Sequence, residues 1–299
     1  MRRTRSLLGM GLVLGLAWGL AWAGDPVPMF GDFFTRTPDA IPEGRGAFKI
    51  AENESPQPQD RVFINYNFFS DLTGHVNGRP RDAHRETIGV EKTVLGDGSI
   101  GLRLPFLQET NNFFRREGGT ESSIDDLSLI LKYAPIHNRE TGNTLSFGLV
   151  VTPPTGERPR AFFGPEGVSI HPTLLQPFVG YVWTRGDFFL HAFHSLMVPT
   201  DSRDVTVLFN DIGLGYWALQ AEGGQLLSGI IPTLELHVNT PLNHRSTGDL
   251  PRYRDSVDLT AGVHVELKRQ ALLGIAVATP VTGPRLFDVE VIANFNYRF

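Results

Sequence analysis

The chain has 299 residues, no cysteine, 27 basic against 32 acidic side chains and a formal net charge of -5. The lack of cysteine excludes a disulfide framework and a thiolate metal site, and net acidity argues against a nucleic-acid partner. Mean hydropathy is -0.11, which is not that of a helical membrane protein.

Arg2, Arg3 and Arg5 precede the apolar run Leu7 to Leu20, and Ala21-Trp22-Ala23 supplies a small-residue cleavage site before Gly24. This pattern reads as a secretory signal peptide over 1–23. A retained anchor fits less well, because the run is short and a cleavage site follows it. Its removal takes three arginines and no acids from the 27 basic and 32 acidic residues, leaving a net charge of -8. Residues 24–60 carry Pro26, Pro28, Pro38, Pro42, Pro56 and Pro58 with no sustained period, so they form a leader and not a domain. The leader is either a periplasmic tether or a plug folded into a lumen.

From residue 61 onward, strand-like alternation and turn signals succeed each other to the end. The predicted strands are 61–70, 84–94, 98–107, 125–134, 144–152, 173–184, 187–197, 204–219, 226–240, 255–267, 271–279 and 286–299. A phase change near Asn210-Asp211 suggests a bulge. Segments 46–52 and 159–168 could each add a strand, so the count is twelve within a range of 10–14. Connections after even-numbered strands are mostly short and those after odd-numbered strands mostly long. That parity is the one expected of an antiparallel transmembrane β-barrel with both termini in the periplasm. Tyr133, Tyr181, Trp183, Phe188, Tyr216 and Tyr297 fall near the predicted periplasmic strand ends, where an aromatic girdle belongs. In a soluble sandwich they would be ordinary core aromatics.

In the last segment, Phe287, Val289, Val291, Ala293, Phe295, Tyr297 and Phe299 make an apolar face, and Asp288, Glu290, Asn294, Asn296 and Arg298 a polar one. Its end, Phe295-Asn296-Tyr297-Arg298-Phe299, resembles the carboxy-terminal signature of bacterial outer-membrane β-barrel proteins, and the block from Phe48 to Phe69 resembles uncharacterised porin-like members of that class. The resemblance implies an outer-membrane location in a Gram-negative-type bacterium and an insertion signal at Tyr297 and Phe299 read by the barrel assembly machinery. It also implies contact with outer-membrane lipid.

Alternation assigns a polar face to each strand. Strands one to four offer Arg61, Asn65, Asn67, Arg85, Thr87, Glu91, Arg103, Asp126, Ser128 and Lys132. Strands eight to ten and twelve offer Asp211, Thr233, Glu235, His237, Asn239, Asp258, Thr260, His264, Glu266, Asp288, Glu290, Asn294 and Arg298. Basic charge is biased to one wall and acidic charge to the other, a field that would order water in a pore. The alternative is that these residues pair across a narrow barrel and fill it. Residues 153–172, the longest connection, resemble weakly the inward-folding third loop of general porins, which would make Arg158, Arg160 and Glu166 constriction charges.

Enzymatic signals are sparse. His244-Arg245-Ser246 has the His-x-Ser spacing of outer-membrane lipid hydrolases but lies in a predicted loop, and His191 and Ser195 are four residues apart on one strand face. His237 and His264, on adjacent strands, could bind a metal with Glu235 or Glu266, or could be hydrogen-bonding lumen residues. Gly213 and Gly215 sit in a strand with no following helix, so they suit close packing better than phosphate binding. The sequence therefore predicts an all-β outer-membrane channel for small polar solutes, without enzymatic activity, cofactor, metal or nucleic-acid partner and of undetermined oligomeric state. The alternatives are a plugged display or adhesion barrel and, further off, a lipid-modifying hydrolase.

Overall fold

The computed structural model describes residues 27–32, 34–35, 46–47, 49–72, 82–110, 120–157, 170–221, 225–246, 253–282 and 285–299. Twelve strands among them run antiparallel in chain order. They are β1 (Arg61–Ser70), β2 (Ala83–Val94), β3 (Gly98–Thr110), β4 (Ser128–His137), β5 (Thr144–Thr152) and β6 (Leu174–Arg185). The second half comprises β7 (Phe188–Pro199), β8 (Val207–Tyr216), β9 (Leu227–Pro241), β10 (Ser256–Leu267), β11 (Ala271–Pro280) and β12 (Val289–Arg298). The ring closes where β12 pairs with β1, from Val289 opposite Ser70 to Arg298 opposite Arg61. Closure leaves no free sheet edge, which rules out the soluble sandwich. Short strands at Thr120–Ile124 and Leu219–Gln220 extend the pairing of β3 and β9.

Each strand alternates as its sequence requires. In β1, Val62 and Ile64 face outward and stay exposed, while Arg61, Phe63 and Asn65 face inward and are buried. Ile88, Leu214, Leu234, Ile275 and Val277 continue the exposed apolar surface around the ring, a continuous band that suits hydrocarbon and would be costly in water. Tyr133, Trp183, Phe188, Tyr216 and Tyr297 are exposed at the strand ends on the side of Arg61 and Phe299, and the Phe188 and Tyr216 rings lie tilted with centroids 4.6 Å apart.

Not every inward position is polar. Phe63, Phe178, Phe189 and Phe193 point inward, each covering a glycine on the neighbouring strand. A Cβ built on Gly89 would lie 2.1 Å from Phe63 Cζ, and one on Gly215 the same distance from Phe189 Cζ. Gly213 likewise makes room for the His191 ring, with Nε2 2.2 Å from such a Cβ. These glycines are there because a large inward ring needs the space that a side chain would take.

Three sequence expectations are corrected. Strand β8 runs in unbroken register against both neighbours, from Val207 to Tyr216 on β7 and to Gly215 on β9, with no bulge at Asn210-Asp211. The phase change is chemical: Val207 and Phe209 are apolar yet inward, and Asn210 is polar yet outward, where it meets His194. Asp288 is exposed and outside the lumen, while Phe287 is buried, because the chain enters β12 only at Val289. Segment 46–52 adds no barrel strand; Gly46–Ala47 pairs with Phe34–Thr35 in a separate two-stranded sheet.

That small sheet belongs to a hairpin. Residues 27–32 run in one direction and 49–57 in the other, joined by a hydrogen bond from Met29 N to Glu54 O at 2.9 Å. All of them are buried, and their partners lie on β1, β2, β3, β4, β8, β9, β10 and β12. A segment that touches inward side chains around the whole ring lies inside it. The hairpin enters at the end where Arg61 and Phe299 lie, with Val27 packed on Phe189, Trp217, Ile231 and Leu272. It rises to Asp32 and returns from Lys49 to Asp60, the residue before β1. At the opposite end the described residues form an apolar cluster, a cap, inside the barrel mouth. Leu72, Val205, Tyr253, Leu286 and Phe287 from the connecting loops pack on Phe69, Leu174, Met197, Val207 and Phe209 of the strands.

Candidate functional site in the barrel lumen

The basic wall is built from four successive strands. Arg61 on β1, Arg85 on β2, Arg103 on β3 and Lys132 on β4 all point inward and are at most 4% exposed. Buried cations need acceptors, and here the hairpin provides most of them. Arg61 bonds Glu54 at 2.9 Å and the Asn53 carbonyl at 2.8 Å. Arg85 bonds Glu52. Arg103 donates to the Glu52 carbonyl at 2.9 Å and the Lys49 carbonyl at 3.3 Å. Lys132 reaches Glu54 and the Ser55 carbonyl, each at 2.7 Å, and the Gln57 carbonyl at 3.3 Å. One wall acid joins in: Glu91 lies 3.0 Å from Arg61 and 2.9 Å from Lys132.

The acidic wall is met by the hairpin's Lys49. Its ammonium lies 2.7 Å from Asp211, donates to Asn239 at 2.9 Å, and pairs with the hairpin's own Asp32. His237 lies 2.9 Å from Asp211 and 3.4 Å from Asp32. Asp32, Asp211 and His237 offer ligand atoms within 4.8 Å of one another, but Lys49 already supplies the cation to both carboxylates. Nearer the termini, Glu235 accepts from the backbone N–H groups of Phe30 and Gly31 at 2.9 Å each, and Phe30 stacks on His264 with centroids 4.1 Å apart.

Protonation of the hairpin follows from this pairing. Burial raises the Glu54 carboxyl, but Lys132, Arg61 and Arg103 outweigh it and bring its pKa down to about 2. Burial also raises Asp32 and lowers Lys49, and in each case the opposite charge beside it reverses the effect, so Asp32 lies below and Lys49 above its usual value. For Glu52 burial wins over Arg85, and its carboxyl is raised. At the exit, hydrogen bonds from Lys92 and Thr93 hold Asp60 at about 2.

A pH effect follows. A carboxylate lowered from 4.5 to about 2 on docking stabilises the docked state fully above 4.5, and that contribution disappears as pH falls through 2. Glu54 is therefore expected to contribute fully at about pH 5 and above and to let the hairpin loosen only below that, whereas the raised Glu52 carboxyl acts in the opposite sense as pH rises. Trp217 fluorescence in a Trp183→Phe background reads this directly, because Trp217 packs on Val27. A transition confined to the neutral range would contradict the assignment of Glu54.

Asp211, Glu235, His237, Asp258, His264, Glu266 and Glu290 are inward and buried with the basic residues. Arg158, Arg160 and Glu166 lie outside the described residues. His237 and His264 do not face one another: His237 is opposite Asp258 and His264 opposite Ile231, about 20 Å apart along the strands at 3.3 Å per residue. No strand holds His244 and Ser246 on one face; His244 has φ 54° in a loop, and Arg245 pairs with Asp255 at 2.8 Å. Tyr297 and Phe299 point outward and are exposed. The sequence reading missed Asp32, Lys49, Glu52 and Glu54. The available signal was a charged segment, Lys49 to Glu54, lying directly ahead of a basic strand face.

With this geometry in place, solved structures can be compared. An outer-membrane channel from Pseudomonas putida F1 superposes with a TM-score of 0.55 at 11% identity, covering 81% of this chain and 96% of that one. The β domain of the Bordetella autotransporter BrkA gives 0.51 at 14% identity, covering 81% and 100%. No protein-family model matches the chain, and no curated protein matches it in sequence. The likeness is one of fold. This chain folds as an outer-membrane β-barrel.

Proposed function

We propose that the protein is an outer-membrane channel for small polar solutes, closed in the described state by its own N-terminal hairpin. The observation that carries this reading is the lumen's chemistry. A barrel filled for rigidity alone is served best by apolar packing, since buried ion pairs seldom add stability over hydrophobic groups of the same size. Here the wall keeps buried arginines and a lysine, and most of their acceptors sit on the segment that leads into β1. When the hairpin leaves, these groups line a polar pore.

Transport in this scheme is passive, and no residue is consumed. The exposed apolar band and aromatic girdle support insertion in outer-membrane lipid, and the exposed Tyr297 and Phe299 suit recognition of the last strand by the insertion machinery. The signal-peptide pattern of residues 1–23 supports export. The filled lumen also favours a second reading, a display barrel that never opens.

Proteoliposome swelling separates the two. Vesicles carrying protein that lacks residues 24–57 should swell in isosmotic sugars of low mass, and vesicles with the intact mature chain should swell far less. Equal, negligible swelling from both, given matched insertion, would favour the display barrel.

A further inference from the structure

The hairpin's contacts with the basic wall have the chemistry of a ligand in a receptor. Two carboxylates, Glu52 and Glu54, and the carbonyls of Lys49, Glu52, Asn53, Ser55 and Gln57 converge on Arg61, Arg85, Arg103 and Lys132. All four donors come from the barrel, all the acceptors just named from the hairpin. Two of the donors are also fixed from behind. Arg61 donates to Glu91 at 3.0 Å and Asn296 at 2.9 Å, and Lys132 to Glu91 at 2.9 Å, contacts that do not involve the hairpin. That support keeps the donors in place when the hairpin moves, the condition for a preorganised site.

We infer that the wall formed by Arg61, Arg85, Arg103 and Lys132 is a binding site for small multivalent carboxylates, and that Glu52 and Glu54 are a tethered stand-in which such a solute displaces. The inference rests on the reading of the protein as a hairpin-closed channel and names the class of solute that opens it. Planar guanidinium forks match carboxylates, and the two hairpin carboxylates engage neighbouring donors of one wall, Glu52 at Arg85 and Glu54 at Arg61 and Lys132. The opposite wall does not compete for such a solute, because the buried carboxylates of Asp211 and Glu235 repel it. The solute is therefore held on one side of the lumen.

A competitor that must displace a tethered segment binds with an affinity reduced by the fraction of molecules whose site is free. Weakening the stand-in must then strengthen the solute. Citrate titrated by calorimetry into the purified mature protein should bind the Glu52→Gln/Glu54→Gln variant about tenfold more tightly than the wild type, equivalent to 1.4 kcal/mol. Adding Arg103→Gln to that variant should remove the gain.

Exposure of the hairpin to protease should rise with citrate, and should not rise with spermidine or with sodium chloride of equal ionic strength. Equal citrate affinity in wild type and the glutamine variant would overturn the inference. So would release by sodium chloride alone, which would make the effect screening. Binding of inorganic phosphate as tight as citrate would overturn the assignment to carboxylates. These readouts use no conductance. Citrate release of the hairpin without a pore would sink the channel reading alone, whereas a conducting leader-deleted barrel indifferent to citrate would sink only this inference.

Discussion

Lys49→Met is expected to undock the hairpin. The substitution keeps the length of the side chain and removes the hairpin cation that, among the described residues, meets the acidic wall, leaving Asp32 and Asp211 buried at close range beside His237 and Asn239. Breaking a buried pair by removing one partner costs about 3–5 kcal/mol, because the remaining charge is stranded. The docked fraction should fall by roughly two to four orders of magnitude relative to the undocked one. Hydrogen exchange of residues 27–32 and 49–57 would report this, with the amides of β1 to β12 as an internal control. If the loss arises from stranded charge, Asp32→Asn and Asp211→Asn in the same chain should restore most of the protection, a coupling that a double-mutant cycle isolates. Wild-type protection in Lys49→Met alone would mean that the hairpin is held by its apolar contacts, those of Met29, Ile50 and Ala51 with Ile130, Phe178 and Phe193.

Phe287→Ala is expected to cost about 3–5 kcal/mol of barrel stability, the range for emptying a fully buried ring. Phe287 is 1% exposed and meets Phe69 edge-on at 6.2 Å in the apolar cap. Phe295→Ala changes a ring that is 37% exposed on the outer face and should cost about half as much or less. Urea unfolding of the two variants in the same vesicles gives the comparison. A loss below about 1 kcal/mol for Phe287→Ala would show that the cap is not packed as described. The cap meets the hairpin directly through Lys49 over the Phe209 ring at 5.2 Å, and indirectly through Arg85 of β2, which pairs with Glu52 and lies over Phe69 at 5.7 Å. Undocking the hairpin therefore loosens the cap as well.

Phe287 also marks where the sequence stopped being legible. Strand periodicity located all twelve strands, because an inward polar and outward apolar residue alternate at a period that local chemistry enforces. The pattern fails where the interior is itself apolar. Val207 and Phe209 face the cap, Phe63 and Phe189 cover glycines, and each then looks like an outward residue. That is why Asn210-Asp211 read as a bulge and Asp288 as a lumen residue.

The wall charges were legible for the same reason as the strands. Their partners were not, because Lys49, Glu52 and Glu54 lie in a segment without period, and only tertiary structure brings Glu54 to Arg61 and Lys132 or Lys49 to Asp211. The sequence left tether and plug equally open for residues 24–60. The burial of residues 27–32 and 49–57 supports the plug, as proposed above.

Single-channel recording in planar bilayers tests the central claim most directly, comparing the intact mature chain with one lacking residues 24–57. The account predicts a nearly silent intact protein and discrete, sustained conductance steps from the shortened one. Steps of the same size from both proteins would contradict it, because the hairpin would then close nothing.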